Sequence, residues 1–111
     1  MKAGEIWLVN FSPSIGAEIG KSRPAVIVGS DDIGTLDLRI VVPITHASKI
    51  QRRWHVKLKP TPGNKLNKEG FADCFQVKSI STVRIAKKIG KISDNDLDDI
   101  RICLVKVLDI S

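Results

Sequence analysis

Three segments of this chain carry side chains suited to a phosphate ester. The first is Gly16-Ala17-Glu18-Ile19-Gly20-Lys21-Ser22-Arg23-Pro24, which sets a carboxylate and two cations in a glycine-punctuated loop. Arg23 closes that loop at the entry to the β-branched run Ala25–Val28, where a guanidinium matches phosphate oxygens in bidentate fashion. A solvated surface arginine is the plain alternative. A Walker-type phosphate loop is excluded, because Pro24 and a strand follow where a helix is required. The second is Val42-Pro43-Ile44-Thr45-His46, a hydroxyl and an imidazole at a bent strand end. Either can hydrogen-bond a phosphate, and histidine exchanges protons near neutral pH; an ordinary turn with a capping threonine is the alternative. The third runs from Gln51 to Lys68 and holds Arg52, Arg53, Lys57, Lys59, Lys65 and Lys68 without an acid, a track for a polyanion backbone. Trp54 lies within it, either stacking a base or continuing the Val56/Leu58 face into the core. Gln76 and Lys78 share a face further on. Pairing His46 with His55 as acid and base is less favoured, since His55 sits between the inward residues Trp54 and Val56 and is expected to face solvent.

The elements that must hold these groups are short strands separated by Gly, Pro, Asp and Ser, as in a small barrel or sandwich. Strands are expected over Ile6–Phe11, Ala25–Val28, Leu36–Val42, Trp54–Lys59 and Phe71–Val77, with a short last one at Arg84–Ala86. Pro43 is expected to bend the third at its exit, and Pro60–Glu69 to be loop. One helix is expected. Ser93 caps it, acids at 94, 96, 98 and 99 suit its positive N-terminal end, and Leu97, Ile100, Leu104, Val107 and Leu108 form its apolar stripe.

The chain has 111 residues, room for one core, with 42% hydrophobic and 27% charged residues, which argues against wholesale disorder. Residues 1–92 carry 16 Lys/Arg against 7 Asp/Glu, whereas residues 93–111 carry 2 against 5. A basic body points to a polyanionic partner, most simply nucleic acid; the acids at the end are largely explained by the helix. No apolar run approaches the roughly 20 residues of a membrane span, and Met1–Glu5 does not read as a signal peptide, so no membrane association and a cytoplasmic location are expected. Cys74 and Cys103 are expected as small core residues rather than metal ligands.

The blocks Gly4-Glu5-Ile6-Trp7, Phe11 with Pro13, Gly16 and Glu18, Arg23-Pro24-Ala25-Val26-Ile27-Val28, Val42-Pro43-Ile44-Thr45, Gln76-Val77-Lys78-Ser79-Ile80 and Ile89–Ser93 occur in an order and spacing that resembles the toxin endoribonucleases of MazF/PemK type from type II toxin–antitoxin modules. The resemblance covers nearly the whole chain and is strongest at the Arg23–Val28 block and the Pro-x-Thr block. It implies a single domain over residues 1–111, mainly β, an SH3-like antiparallel barrel of CcdB/PemK type with a C-terminal helix. It also implies metal-independent, sequence-selective cleavage of single-stranded messenger RNA through 2′-hydroxyl attack, leaving 2′,3′-cyclic phosphate and 5′-hydroxyl ends, with no cofactor. The partners it implies are a second copy of the chain, the RNA, and a MazE-like antitoxin with an acidic disordered tail. Arg23 and Thr45 take the catalytic positions, with Glu18 as a further candidate. Lys21, Ser22, Lys49, Arg52, Arg53, Gln76 and Lys78 are the expected RNA contacts. Three positions depart from the family pattern: His46 replaces a common Ser or Thr and adds a possible acid or base, Phe75 replaces a frequent acid, and Ser81 a frequent Asp. Two other readings share the fold, a non-enzymatic gyrase poison of CcdB type and a non-catalytic nucleic-acid-binding barrel. The tail Leu108-Asp109-Ile110-Ser111 lacks the Trp or Phe a gyrase contact needs.

Overall fold

Alternating apolar residues on both sides of three strands set the architecture. In strands β1 (Glu5–Asn10), β2 (Ser22–Ile27) and β3 (Leu38–His46), the residues Ile6, Val26 and Val42 enter one apolar cluster, and Val9, Ala25, Ile27 and Val41 enter another on the opposite face. The computed structural model describes residues 1–31, 33, 36–47 and 50–110. Four further strands follow, β4 (His55–Leu58), β5 (Gly70–Asp73), β6 (Lys78–Ser81) and β7 (Ile85–Lys91), then helix α1 (Asp94–Val107). All pairings are antiparallel, in the order β4-β5-β3-β2-β1-β7, with β6 also on β3.

The expected mainly-β chain with one C-terminal helix is present, but the expected SH3-like barrel is not: the sheet is open. Among the described residues β4 pairs only with β5 and β7 only with β1, so no ladder joins the two ends. The physical reason lies in what fills the gap. The loop after β4 reaches β7 instead of a strand, with Lys91 N–H donating to the Gly63 carbonyl at 3.0 Å. Gly90 permits that approach, since a Cβ there would lie 2.6 Å from the Asn64 carbonyl oxygen and 2.7 Å from that of Gly63. Helix α1 covers the rest, burying Leu97, Ile100 and Cys103 in the cluster that holds Leu58 and Cys74.

Strand β3 runs through Pro43 to His46 rather than ending at Val42. Val41 is the last residue paired with β6 and Ile44 the first paired with β5, so the missing N–H of Pro43 falls between partners, where it costs no ladder bond. The expected strand Phe71–Val77 is likewise split. A 3₁₀ turn at Cys74–Gln76, capped by Asp73 accepting from the Phe75 N–H, separates β5 from β6. The last strand is longer than expected, seven residues, because it has all of β1 to pair with. Ser93 does cap α1, accepting from Asp96 N–H at 3.1 Å, but the helix ends at Val107 and leaves Leu108 exposed. Cys74 and Cys103 are buried free thiols, as expected. No helix among the described residues is long and apolar enough to cross a membrane.

Glu5 ties β1 to β7. Its Oε1 accepts from Lys2 N–H and the Trp7 indole N–H, both at 3.0 Å, and its Oε2 lies 3.0 Å from Lys88 Nζ. Burial pushes the carboxyl up, but these donors and the ammonium together outweigh it and hold the pKa at about 2 instead of 4.5. Ionised Glu5 therefore adds stability that is complete above pH 4.5 and disappears as pH falls toward 2. In denaturant titrations across that range, Glu5→Gln should be the less stable protein at the upper end and show the shallower acid decline. Parallel declines would refute the assignment.

Candidate active site

Strand register brings the arginine and the threonine to one place. Ala25 pairs with Pro43, and the same register carried two residues further sets Arg23 level with Thr45. Both line one open pocket of about 200 Å³, together with Ser22 and His46, and with a wall supplied by residues 66–70. Arg23 is half-buried, and its Nε–H donates to the Gly20 carbonyl at 3.2 Å, which fixes the stem of the guanidinium. No carboxylate pairs with it among the described residues. The Thr45 hydroxyl makes a long contact, 3.5 Å, to the Phe71 carbonyl across the β3–β5 ladder. A bond that long yields readily to a better acceptor. The pocket thus offers an unneutralised planar cation and a hydroxyl donor facing solvent, an arrangement that binds an oxyanion.

His46 is exposed on the rim of the same pocket. Glu18 stands in a neighbouring groove with Phe11, Pro13, Lys78 and Arg84. Its Oε1 accepts from Ile15 N–H at 2.8 Å, and its Oε2 lies 3.9 Å from Lys78 Nζ. The loop that carries it is clamped by Gln76, whose Oε1 accepts from Ile19 N–H and whose Nε2 donates to the Ala17 carbonyl, both at 3.2 Å. Arg84 Nη1 donates to the Asn10 and Ser12 carbonyls at the loop's neck. Lys21, exposed at a φ of 65°, closes that neck with its own peptide groups, to Phe11 N–H and Ser12 Oγ. Gln76 and Lys78 are therefore brought to this loop, not to the Arg23–Thr45 pocket. Arg52 and Arg53 lie beyond β5 at the start of β4; Lys49 lies outside the described residues.

His55 does not face solvent as expected. Pairing with Asp73 puts it on the face that carries Phe71, where the rings stack at 4.8 Å, and only 12% of the side chain is exposed. Its Nδ1 accepts from Arg52 N–H at 3.0 Å, which puts the proton on Nε2, 3.9 Å from Asp73 Oδ2. Burial, with Arg52 adding to it, lowers the imidazole pKa despite Asp73. Nor does Trp54 join the core; it packs edge-on against His55 and Phe75 and stays half-buried.

Glu69 lines the pocket but escaped the sequence reading as a site residue; its neighbour Lys68, which also lines it, was read only as part of the basic track. Glu69 also pairs with Lys57 at 3.4 Å. The signal for Glu69 was its position just before Gly70, where a Cβ would lie 2.8 Å from the Thr45 carbonyl oxygen. Asn64 braces the loop that leads to them. Fully buried, it accepts from Thr61 and Leu66 N–H at 3.0 Å and donates to the Lys59 carbonyl at 2.8 Å.

A family model described as "PemK-like, MazF-like toxin of type II toxin-antitoxin system" matches residues 2–108. The chain is 32% identical over 116 aligned positions to the endoribonuclease MazF9 of Mycobacterium tuberculosis, covering 99% of this chain and 98% of the relative. It is 26% identical over 102 positions to the endoribonuclease MazF of Staphylococcus saprophyticus, with 90% and 84% covered. The crystal structure of MazF from Deinococcus radiodurans shares the fold at a TM-score of 0.83 and 24% identity, with 99% and 97% covered. A mycobacterial endoribonuclease in complex with its cognate antitoxin does so at 0.79 and 12%, with 100% and 97% covered.

Asn64→Ala leaves part-buried N–H and C=O groups of the loop without their partner and should cost roughly 1–3 kcal/mol in chemical denaturation. A change within the error of the titration would show that solvent or a rearranged loop replaces the amide.

Proposed function

The chain belongs to the PemK-like, MazF-like toxin family of type II toxin–antitoxin systems and is an endoribonuclease, and we propose that the pocket between β2 and β3 is where it cleaves single-stranded RNA without a metal. The convergence of Arg23, which no carboxylate pairs with among the described residues, and Thr45 on one open pocket carries this reading. In the reaction the ribose 2′-oxygen loses its proton and forms a bond to phosphorus. The bond from phosphorus to the 5′-oxygen breaks, and that oxygen takes up a proton. The products are a 2′,3′-cyclic phosphate and a 5′-hydroxyl. Charge accumulates on the non-bridging oxygens of the pentacoordinate phosphorus, where the Arg23 guanidinium and the Thr45 hydroxyl act. Because the Gly20 carbonyl already holds Arg23 Nε, little reorganisation is needed as that charge develops.

Two side chains are available to take the 2′-hydroxyl proton: His46 on the pocket rim, and Glu18 on the loop whose Gly20 grips Arg23. Lys21, Ser22, Arg52, Arg53, Gln76 and Lys78 serve RNA binding around this centre, Gln76 by fixing the loop. A cognate antitoxin is the partner that membership in a toxin–antitoxin family brings, and its acidic tail would meet the basic surface. We take the active form to be a homodimer, supported by the apolar side chains of Leu36, Leu38 and Ile40 left exposed at the N-terminal end of β3.

Purified protein incubated with single-stranded RNA in EDTA should produce cyclic-phosphate ends. Arg23→Ala and Thr45→Ala should each slow cleavage by about 10²–10³, the usual loss for one transition-state donor, with unchanged thermal melts. Of His46→Ala and Glu18→Gln, the variant that flattens the acidic limb of the pH–rate profile marks the base. Undiminished cleavage in both the Arg23 and Thr45 variants, or a wild type inert toward RNA, would sink the proposal.

A further inference from the structure

The 3₁₀ turn between β5 and β6 pushes Phe75 outward until 66% of it is exposed. Trp54 meets it edge to face, with ring centroids 5.7 Å apart and planes at 70°. Together they line a groove of about 570 Å³ whose other walls are Arg53, Lys106 and Val107. No carboxylate lines it.

A chain of contacts runs from the pocket to this groove at the β4 end of the sheet. Thr45 pairs with Phe71 on β5, Phe71 stacks on His55 of β4 with planes 19° apart, and His55 contacts Trp54 edge-on at 5.8 Å. Strand β4 lies two strand spacings from β3, about 10 Å, a span that short single-stranded RNA covers. Aromatic faces flanked by cations, with no acid among them, suit unpaired bases and the phosphates between them.

We propose that Trp54 and Phe75, with Arg53 and Lys106, form a base-stacking subsite for a nucleotide lying beyond the cleaved bond. The subsite rests on the RNA-cleavage reading and extends it: it adds affinity for longer RNA and leaves the chemical step alone. Phe75 supplies the exposed platform and Trp54 the edge that holds it upright. The two cations engage the flanking backbone.

The test uses 2′-O-methyl RNAs of mixed sequence, which lack the attacking hydroxyl: a dinucleotide that spans only the cleaved bond, and an RNA of about 16 nucleotides, the upper end of the site sizes of such platforms. Wild-type protein should bind the longer RNA more tightly. Phe75→Ala should weaken that binding about tenfold while leaving the shorter RNA and the cleavage rate of a short substrate unchanged. Phe75→Tyr, which keeps the ring, should restore it. Equal losses at both lengths, no loss at either, or no length dependence in the wild type would overturn the subsite. Weakened binding of the purified cognate antitoxin with RNA affinity intact would overturn it too, assigning the groove to a protein partner. A wild type that shows the length dependence but does not cut RNA would instead count against the cleavage reading alone, because these binding measurements need no cleavage.

Discussion

Strand β3 has to satisfy three partners at once, and the rest of the molecule is arranged around that demand. On one side it pairs with β2 over Val41–Pro43; on the other it pairs first with β6 and then with β5. The handover takes place at Pro43, the one residue of the strand without an N–H to leave unpaired. A single strand thereby carries Val41 and Val42 into two separate apolar clusters and, three residues later, delivers Thr45 to the surface beside Arg23. The threonine is placed by backbone geometry rooted in the core. The arginine is placed by the start of β2 and by a single carbonyl of the preceding loop. A site built from strand ends in this way gains rigidity from the sheet while remaining open to a long polymer.

Charge is distributed to match. The carboxylates of the body are largely engaged. Glu5 is held by Lys88 and two N–H donors, Glu69 by Lys57, and Asp73 by the peptide of Phe75 and the neighbouring His55. Asp73 is pushed up by burial and His55 down by burial, so a neutral, stacked imidazole occupies the path between pocket and groove. Arg23 has no such carboxylate partner among the described residues, which leaves its field directed at whatever enters the pocket.

Much of this was legible in the sequence, and the exceptions have physical causes. Alternation located β3 and β4, apolar and β-branched runs located β1 and β2, and Ser93 with its following acids located the helix. The arginine–proline and proline–threonine blocks located the two residues that meet in the pocket. Closure of the sheet was not legible. Whether two edge strands pair or are bridged by a loop depends on a tertiary approach, here the contact of Gly90 with the Gly63–Asn64 backbone, and neither residue has any periodicity to reveal it. His55 was misplaced for a related reason. Alternation assigns a face, but it cannot tell that the Gln51–Arg53 segment folds back over that face and covers the ring. The split of β5 from β6 was hidden because Cys74 and Val77 keep an apolar pattern through the turn. Lys68 was legible only as one cation of the basic track, and Glu69 only by its place before Gly70, since both reach the pocket through the path of a loop that Asn64 braces.

The loop between β1 and β2 is fastened to the body at few places: the Gln76 amide, the Arg84 guanidinium, the Lys78 ammonium and the peptide groups at its neck. Of its residues, Phe11 at the neck is buried in an apolar cluster and Ile19 leans on the same one. The segment is therefore a module in evolutionary terms: its interior letters can drift, lengthen or be traded between lineages without disturbing the folding nucleus, provided the fasteners stay. Diversification of the RNA letters such an enzyme reads would then be expected to concentrate in this stretch, while the hydrophobic interior beneath it stays nearly constant.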